Sequence, residues 1–488
     1  METEQKRLLK NKWCYSIGGL RDVLYAFVTM FLLVYIQYTV PLTNAQFAAI
    51  GVIMTLCKIW DAINDPIMAT IVENARLKGG KFRPWIMIGA VCTALVTAAM
   101  FLVRIDSGWG YVAFIGVMYL LWDAAFTMND VGFWSMLPAL GTNADARNKI
   151  TTLMSIFCSV AAFAVSAVVP MVTGTDKIAR YGISAVVVVL VFAASQALTY
   201  FGVKEPPRDP SETDEKITLK KMFSIIRHND QLLWVALVLC CYYLGSGLLL
   251  QFGMNFCYFE YGYAGGGGVY TVFAIVYLIG TLLSQLLFPT LAKKISRKRL
   301  ITLGCAIAVA GYGVLMMLRY VLPPSLAIVC ISGALIFGGQ NLIDLVILVQ
   351  MTNTIEYNEW KTGQRNESIV FSLRSFLAKL TGALQTLIVS CVLIVSGIKA
   401  STDKIATLED ALSRGSVSAE KVVGDAEQVI LSTPDSARLI LRICMVAIPV
   451  VLLILAAVID NAKYKITEEQ YEQIRLELAE KHRQDGEN

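Results

Sequence analysis

Twelve long apolar stretches constrain this chain more than any other feature. They fall near residues 15–40, 45–73, 85–104, 108–138, 149–171, 178–203, 229–257, 267–290, 300–320, 325–352, 367–398 and 437–460. Each meets or exceeds the roughly 20 residues that a bilayer-spanning helix needs. Inside lipid a backbone satisfies its polar groups only as a helix or a closed barrel, and runs of this length read as helices. Several exceed 25 residues, which implies tilt or extension past the bilayer. Composition agrees: 56% of the 488 residues are hydrophobic and 16% charged, against about 25% charged in soluble proteins. Mean hydropathy is +0.59. These values exclude a water-soluble globule, a disordered chain, a coiled coil and a collagen. A net charge of +5, with no basic run interleaved with aromatics, gives no nucleic-acid signature.

The loops set the topology. ENARLKGGKFRPW after the second span carries Arg76, Lys78, Lys81 and Arg83, and AKKISRKR after the eighth carries Lys293, Lys294, Arg297, Lys298 and Arg299. The connection after the sixth span holds Lys204, Arg208, Lys216, Lys220, Lys221 and Arg227. Alternate loops are poor in bases, so the positive-inside rule places both termini in the cytoplasm. The polar, basic N-terminus leads into an apolar run without a small-residue cleavage site, which reads as a retained first span. Residues 399–435 are the long exception on the outer side, richer in acids than bases, and read as a partly helical surface excursion.

Residues 1–203 form an N-terminal six-helix half, 204–228 a cytoplasmic linker, 229–460 a C-terminal six-helix half and 461–488 a cytoplasmic tail. The basic loop after span 2 recurs, degraded, after span 8, and each precedes a span with an early glycine, Gly89 or Gly304. Such duplication suits a transporter whose halves work about a central site. Eleven cysteines without a C-x-x-C pair, and only two histidines, leave no Cys/His metal site. The cysteines read as small packing residues. No cofactor is expected.

The informative charges lie inside the spans, where they are expensive and mark pathways or pairs. They are Arg21, Asp22, Lys58, Asp61, Asp65, Asp123, Asp130, Asp344, Arg374 and Lys379. In KIWDAINDP, Asp61, Asn64 and Asp65 fall at i, i+3 and i+4, on one helical face. Two such carboxylates repel unless a cation lies between them or one is protonated. Hard oxygen ligands suit Na⁺, Li⁺ or a proton, and the neutral Asn64 amide tilts the choice toward Na⁺. The other reading makes these acids ion-pair partners of Lys58 or of the basic loop. Pro66 removes a backbone donor just beyond them.

In FTMNDVGFWSMLP, Thr127, Asp130 and Trp134 share a face. A carboxylate that accepts from hydroxyls and an indole that covers a pyranose face make a sugar site. A lone Trp134 also fits an interfacial packing role. Arg21 and Asp22 are neighbours, which do not share a helix face. Lys379 lies too deep in its span to snorkel and reads as facing a cavity.

Together, IWDAINDPIM (59–68), GKFRPWI (80–86), DVGFWSMLP (130–138), TIEYNEWKTGQRNES (354–368) and the following Lys379 resemble the glycoside–pentoside–hexuronide:cation symporter family. The resemblance covers essentially all twelve spans. It implies the major-facilitator fold, an all-α membrane protein of two six-helix halves, and sugar uptake coupled to Na⁺, H⁺ or Li⁺. By position it implies Asp61, Asn64, Asp65 and Thr127 as cation ligands. It implies Asp22 and Asp130 as acceptors of sugar hydroxyls and Trp134 as the stacking ring. Arg21 stands where the family pattern has a Lys, and Lys379 matches the C-half lysine. Asp344 and Ser375 complete the implied sugar set. Ser155 replaces a sugar-site Arg, Asp344 a Trp and Gly132 a Pro, so the family's sugar preference does not transfer directly.

The expectation is therefore a monomeric secondary symporter of the bacterial inner (cell) membrane, with a small sugar, a monovalent cation and membrane lipid as its partners. A proton-coupled exporter, a lysolipid carrier of the same fold and a transport-deficient sensor are the rivals; the sensor would need a soluble domain. No nucleophile–base pair near a His, Gly-rich phosphate loop or Walker lysine supports an enzyme.

Overall fold

The computed structural model describes residues 2–74, 80–140, 144–205, 229–363 and 367–486. Arg76, Lys78, most of the central linker, and Gln364 to Asn366 of the TIEYNEW stretch lie outside the described residues. Among the described residues every regular element is helical, apart from one isolated bridge, Leu318 to Leu322. Twelve of its helical segments are long and apolar enough to cross a membrane.

The first span is broken. Helix α1 (Glu2–Ile17) passes through a 3-10 turn (Gly18–Arg21) into α2 (Asp22–Thr39). Then come α3 (Asn44–Asn74), α4 (Arg83–Leu102), α5 (Trp109–Leu140), α6 (Ala144–Val172) and α7 (Lys177–Gly202). After the linker follow α8 (Asp230–Tyr261), α9 (Gly266–Ala292), α10 (Arg297–Met317), α11 (Leu326–Thr362) and α12 (Glu367–Val395). The chain ends with α13 (Ile398–Ser413), α14 (Ala419–Ser432), α15 (Asp435–Lys463) and α16 (Glu468–Gly486). Helix α3 continues through Pro66. The proline therefore leaves the span intact, although it has no N–H for the ladder.

The chain divides into two compact units. Unit 1 comprises Met1–Asp214, Gly253–Ala274 and Thr386–Arg438; unit 2 comprises Glu215–Phe252, Ile275–Gln385 and Leu439–Asn488. Helices α8, α9, α12 and α15 are each shared between them.

Unit 1 is organised by close helix crossings. Gly89 of α4 lies against α5, where an added Cβ would come 2.5 Å from the Asn129 amide and 2.9 Å from the Ala125 carbonyl. The absent side chain lets the backbones touch, as membrane helices favour. Pro84 occupies the first turn of α4, where a missing N–H costs nothing. The Glu205 carboxylate accepts from the Lys81, Phe82 and Arg83 amides at 2.7, 3.1 and 2.6 Å. It satisfies the orphan donors and the positive end of the dipole. Arg83 Nε donates to the Tyr200 carbonyl at 2.7 Å, so this loop base also joins α4 to α7.

Residues 399–435 are helical over most of their length, as expected for a partly helical excursion, with one face packed. They form α13 and α14, and α13 buries Lys399, Thr402, Ile405, Ala406 and Glu409. Lys399 Nζ donates to the Leu42 carbonyl at 2.8 Å and pairs with Asp403, which accepts from the Leu42 amide at 3.2 Å. Glu409 accepts from the Lys177 amide at 2.9 Å and from the Tyr263 hydroxyl. The acids that outnumber its bases are thus in part its anchors. Burial holds the Glu409 carboxyl above the usual carboxylate range, partly offset by the Tyr263 hydroxyl and Lys177.

Unit 2 repeats the close crossing. A Cβ on Gly304 of α10 would come 2.7 Å from the Gly339 carbonyl and 3.0 Å from Ile343 of α11.

Candidate functional site

In unit 1 the turn at Gly18–Arg21 sets the site. A Cβ on Gly18 would overlap Thr199 and Phe133, and one on Gly19 would come 2.8 Å from the Met154 carbonyl. The turn therefore sits tight among α5, α6 and α7. Gln196 of α7 holds it, donating to the Gly18 carbonyl at 3.0 Å. Tyr15, fully buried, stacks on Phe133 at 4.4 Å and donates to its carbonyl at 2.8 Å.

Arg21, 3% exposed, emerges from this turn between two carboxylates. Its Nη2 pairs with Asp130 Oδ1, and its Nε lies 3.6 Å from Asp22 Oδ1. Nη1 donates to Asn129 Oδ1 at 3.4 Å. The Asn129 amide in turn donates to the Ile86 carbonyl at 2.9 Å and to Gln196 Oε1 at 3.0 Å. The guanidinium also packs on aromatic faces, with Cζ 4.6 Å from the Phe133 centroid and 6.0 Å from that of Trp134. Sequence neighbours were expected to diverge. Here the 3-10 turn, and an arginine long enough to turn back, bring Arg21 to both Asp22 and Asp130. Asp22 and Asp130 keep about 29% and 28% of their side chains accessible, and Trp134 is 45% exposed. Both acids and the indole thus retain faces that a hydroxylated ring can meet.

One turn back along α5, the single hydroxyl proton of Thr127 faces two acceptors, Asp61 Oδ1 of α3 at 3.0 Å and the Asp123 carbonyl of its own helix at 2.9 Å. Asn64 and Asp65 follow Asp61 along α3 and are half-buried. Lys58 Nζ donates to Thr386 Oγ1 at 3.0 Å and lies within electrostatic reach of Asp123 and Asp61. Among the described residues no group of three or more His, Cys, Asp or Glu forms a metal shell. A cation at Asp61 would rely on neutral oxygens from Thr127 and Asn64, which fits a monovalent ion better than a divalent one.

Unit 2 contains a cavity of about 340 Å³. Asp344 of α11 and Arg374 of α12 line it, with Tyr243, Tyr277, Asn341 and Gln385 among their neighbours. Arg374 Nε donates to the Tyr243 hydroxyl at 2.8 Å, while its Nη2 lies 3.9 Å from Asp344 Oδ2. Gln385 donates to the Tyr243 carbonyl at 2.7 Å and accepts from Gln251 at 3.1 Å. Ser375, exposed, and Lys379, half-buried, lie on the same helix but do not line this cavity. Arg374 stood out in the sequence only as a charge inside a span, without an assigned role, and Tyr243 did not stand out at all. The only signal was a charge and a hydroxyl inside apolar spans, and nothing in the sequence paired them. The eleven cysteines are all free.

The comparisons agree with this architecture. Residues 14–468 match the family model described as MFS/sugar transport protein. A lactose permease of Lactobacillus delbrueckii subsp. bulgaricus is 28% identical over 96% of this chain and 72% of its own length. A raffinose carrier protein of Pediococcus pentosaceus is 25% identical, covering 95% and 70%. A glucuronide carrier protein homolog of Escherichia coli is 23% identical, covering 78% and 83%. These relatives are named as transporters, not enzymes. A bacterial homolog of the human lysosomal transporter Spinster shares the fold, with a TM-score of 0.65 at 14% identity over 93% of this chain and 95% of its own. The chain is a multi-pass, all-helical membrane protein and belongs to the MFS/sugar transport family, the glycoside–pentoside–hexuronide symporters of the major facilitator superfamily.

Proposed function

We propose that this protein takes up a glycoside-, pentoside- or hexuronide-type sugar by symport with Na⁺, with H⁺ and Li⁺ as the alternative ions. It works in the cell membrane as a monomer with both termini in the cytoplasm. The cation is held by Asp61 and Thr127, with Asn64 and Asp65 completing its shell. Asp22 and Asp130 accept from sugar hydroxyls, Trp134 covers a ring face, and Arg21 positions both acids. Asp344, Lys379 and Ser375 are the sugar residues of the second half. The names of the lactose, raffinose and glucuronide relatives support a sugar as the cargo.

One observation carries the coupling. The Asp61–Thr127 hydrogen bond of 3.0 Å joins α3 to α5 a single turn from Asp130. A cation on Asp61 neutralises the carboxylate and fixes the register of α5, and therefore the position of Asp130. Each ligand then raises the other's affinity by the same factor.

The test is uptake of radiolabelled lactose and raffinose into membrane vesicles, with a Na⁺ gradient, a proton gradient or neither. The expected result is accumulation driven by one of the gradients and abolished in Asp61→Ala. Full gradient-driven accumulation by Asp61→Ala contradicts the cation assignment.

A further inference from the structure

The last span ends on an acid that neither the sugar set nor the cation set uses. Asp460 of α15 lies in unit 2, three residues before the end of its helix, and is fully buried. Aspartates are almost never enclosed in this way unless paired. Yet both carboxyl oxygens of Asp460 lack a hydrogen-bond partner. The side chain that faces it is Gln350 of α11, also fully buried and in the same unit. The amide oxygen and the amide nitrogen of Gln350 are likewise without partners. Four orphaned polar atoms thus meet in one enclosed place, where each carries the cost of lost hydration.

The donor inventory says what is missing. An ionised carboxylate only accepts, so it can use the amide nitrogen but repels the amide oxygen. A protonated carboxyl donates one hydrogen bond and accepts another, as a primary amide does. One proton therefore satisfies all four atoms: the Asp460 O–H donates to Gln350 Oε1, and Gln350 Nε2 donates to the other Asp460 oxygen.

The charged groups around the pair are engaged elsewhere. Lys298 of α10 is within electrostatic reach of Asp460, but its Nζ donates to the Asn461 carbonyl at 3.0 Å. Arg297 lies 4.0 Å from Glu468 and over the Tyr471 ring. On α8, Asp230 pairs with Lys361 at 3.1 Å, and Trp234 takes Lys463, which follows Asp460 in the same turn. On α11, Glu356 faces Tyr471. One turn beyond Gln350, the Asn353 amide lies 3.4 Å from the Tyr464 hydroxyl. The chain at the end of α15 thus already runs beside α11 without any use of Asp460.

We propose that Asp460 is a proton-binding site of unit 2, closed by Gln350, whose proton fastens α15 to α11 independently of the cation held at Asp61. The proton anchors a helix that also carries Asp344, six residues before Gln350.

Infrared difference spectroscopy of the purified full-length protein in lipid vesicles tests this, with the proton itself as the ligand. The signal is the C=O stretch of a protonated carboxyl, recorded from about pH 5.5, where ordinary aspartates are already ionised, to about pH 9. The wild type is expected to show such a band at the acid end. Asp460→Asn is expected to lose that component, Gln350→Leu to shift its frequency, and Asp61→Asn to keep it. If Asp460→Asn removes no carboxyl component, Asp460 is ionised and the site is refuted. A component that Gln350→Leu leaves unshifted refutes the closure by Gln350, and one lost in Asp61→Asn refutes its independence. Should Asp460→Asn fail to fold, the shift in Gln350→Leu carries the test. Thermal unfolding in detergent gives a second reading, because Asp460→Asn keeps both hydrogen bonds to Gln350 without needing a proton. A proton bound only by the folded chain adds stability that is lost as pH rises. The variant is therefore expected to gain on the wild type between about pH 5.5 and about pH 9. A difference between the two that does not change with pH overturns the proposal, whether or not the protein binds sugar or Na⁺.

Discussion

The two units hold their arginines differently. Arg21 of unit 1 is 3% exposed, reaches two carboxylates and Asn129, and is backed by a network through Gln196 to the turn that carries it. Arg374 of unit 2 is 33% exposed, holds a tyrosine hydroxyl and stands 3.9 Å from its one acid. The surroundings differ in sign as well. Unit 1 places Asp22, Asp61, Asp65, Asp123 and Asp130 within its spans with Arg21 and Lys58 among the bases, whereas the spans of unit 2 carry Asp344 and Asp460 with Arg374, Lys379 and Arg442. A surplus of acids attracts a cation. Where two repeats keep the same crossing, the surrounding charges allow each its own task.

The sharpest way to break this contrast is to remove each arginine. Arg21→Gln strands two carboxylates and should destabilise the protein by about 3–5 kcal/mol. Arg374→Gln removes a loose, partly exposed pair and should cost under about 1 kcal/mol. Thermal unfolding in detergent measures both, and equal losses would erase the distinction. Next in size is a difference in linkage. Asp61→Asn should abolish the effect of the cation on sugar affinity, while Asp344→Asn should leave that effect in place; titrations with and without Na⁺ separate them. The shared geometry itself is tested by Gly89→Leu and Gly304→Leu. Each should cost about 1–3 kcal/mol through overpacking at its helix crossing, and a cost at only one glycine would argue against the repeat.

The smallest effect concerns the α13–α14 hairpin. Burial raises the Glu409 carboxyl above its usual 4.5, so the folded hairpin binds the proton more tightly than the unfolded chain. That contribution is complete below the unfolded value and is lost as pH rises through the folded value. The unfolding free energy should therefore decline as pH rises from about 4.5, by at most about 1.4 kcal/mol per pH unit, which is read as a falling melting temperature. Glu409→Gln should flatten that decline, and an unchanged slope would clear Glu409 as its source.

Apolar run length and loop charge made the spans legible, because lipid imposes one solution on the backbone. The acids inside them were legible too, since charge in lipid is rarely idle. Helical spacing placed Thr127 beside Asp130 on one face, but the Thr127–Asp61 bond between helices was not in the spacing. Three features stayed hidden. The Gly18–Arg21 turn let neighbours meet that a regular helix would have parted. The Arg374–Tyr243 pairing joins residues far apart in sequence. The burial of Glu409 gave an acid-rich segment, expected as a partly helical surface excursion, a packed face. Each depends on contacts between elements, which local periodicity does not record.

The central claim is that a cation on α3 sets the sugar-binding acid on α5. Calorimetric titration of sugar at zero and saturating Na⁺ (or at two pH values, if the ion is a proton), paired with titration of the ion with and without sugar, measures this directly. The expected result is a mutual increase in affinity, equal in both directions and absent in Asp61→Asn. Sugar affinity indifferent to every tested cation, in a protein that binds the sugar, would contradict it.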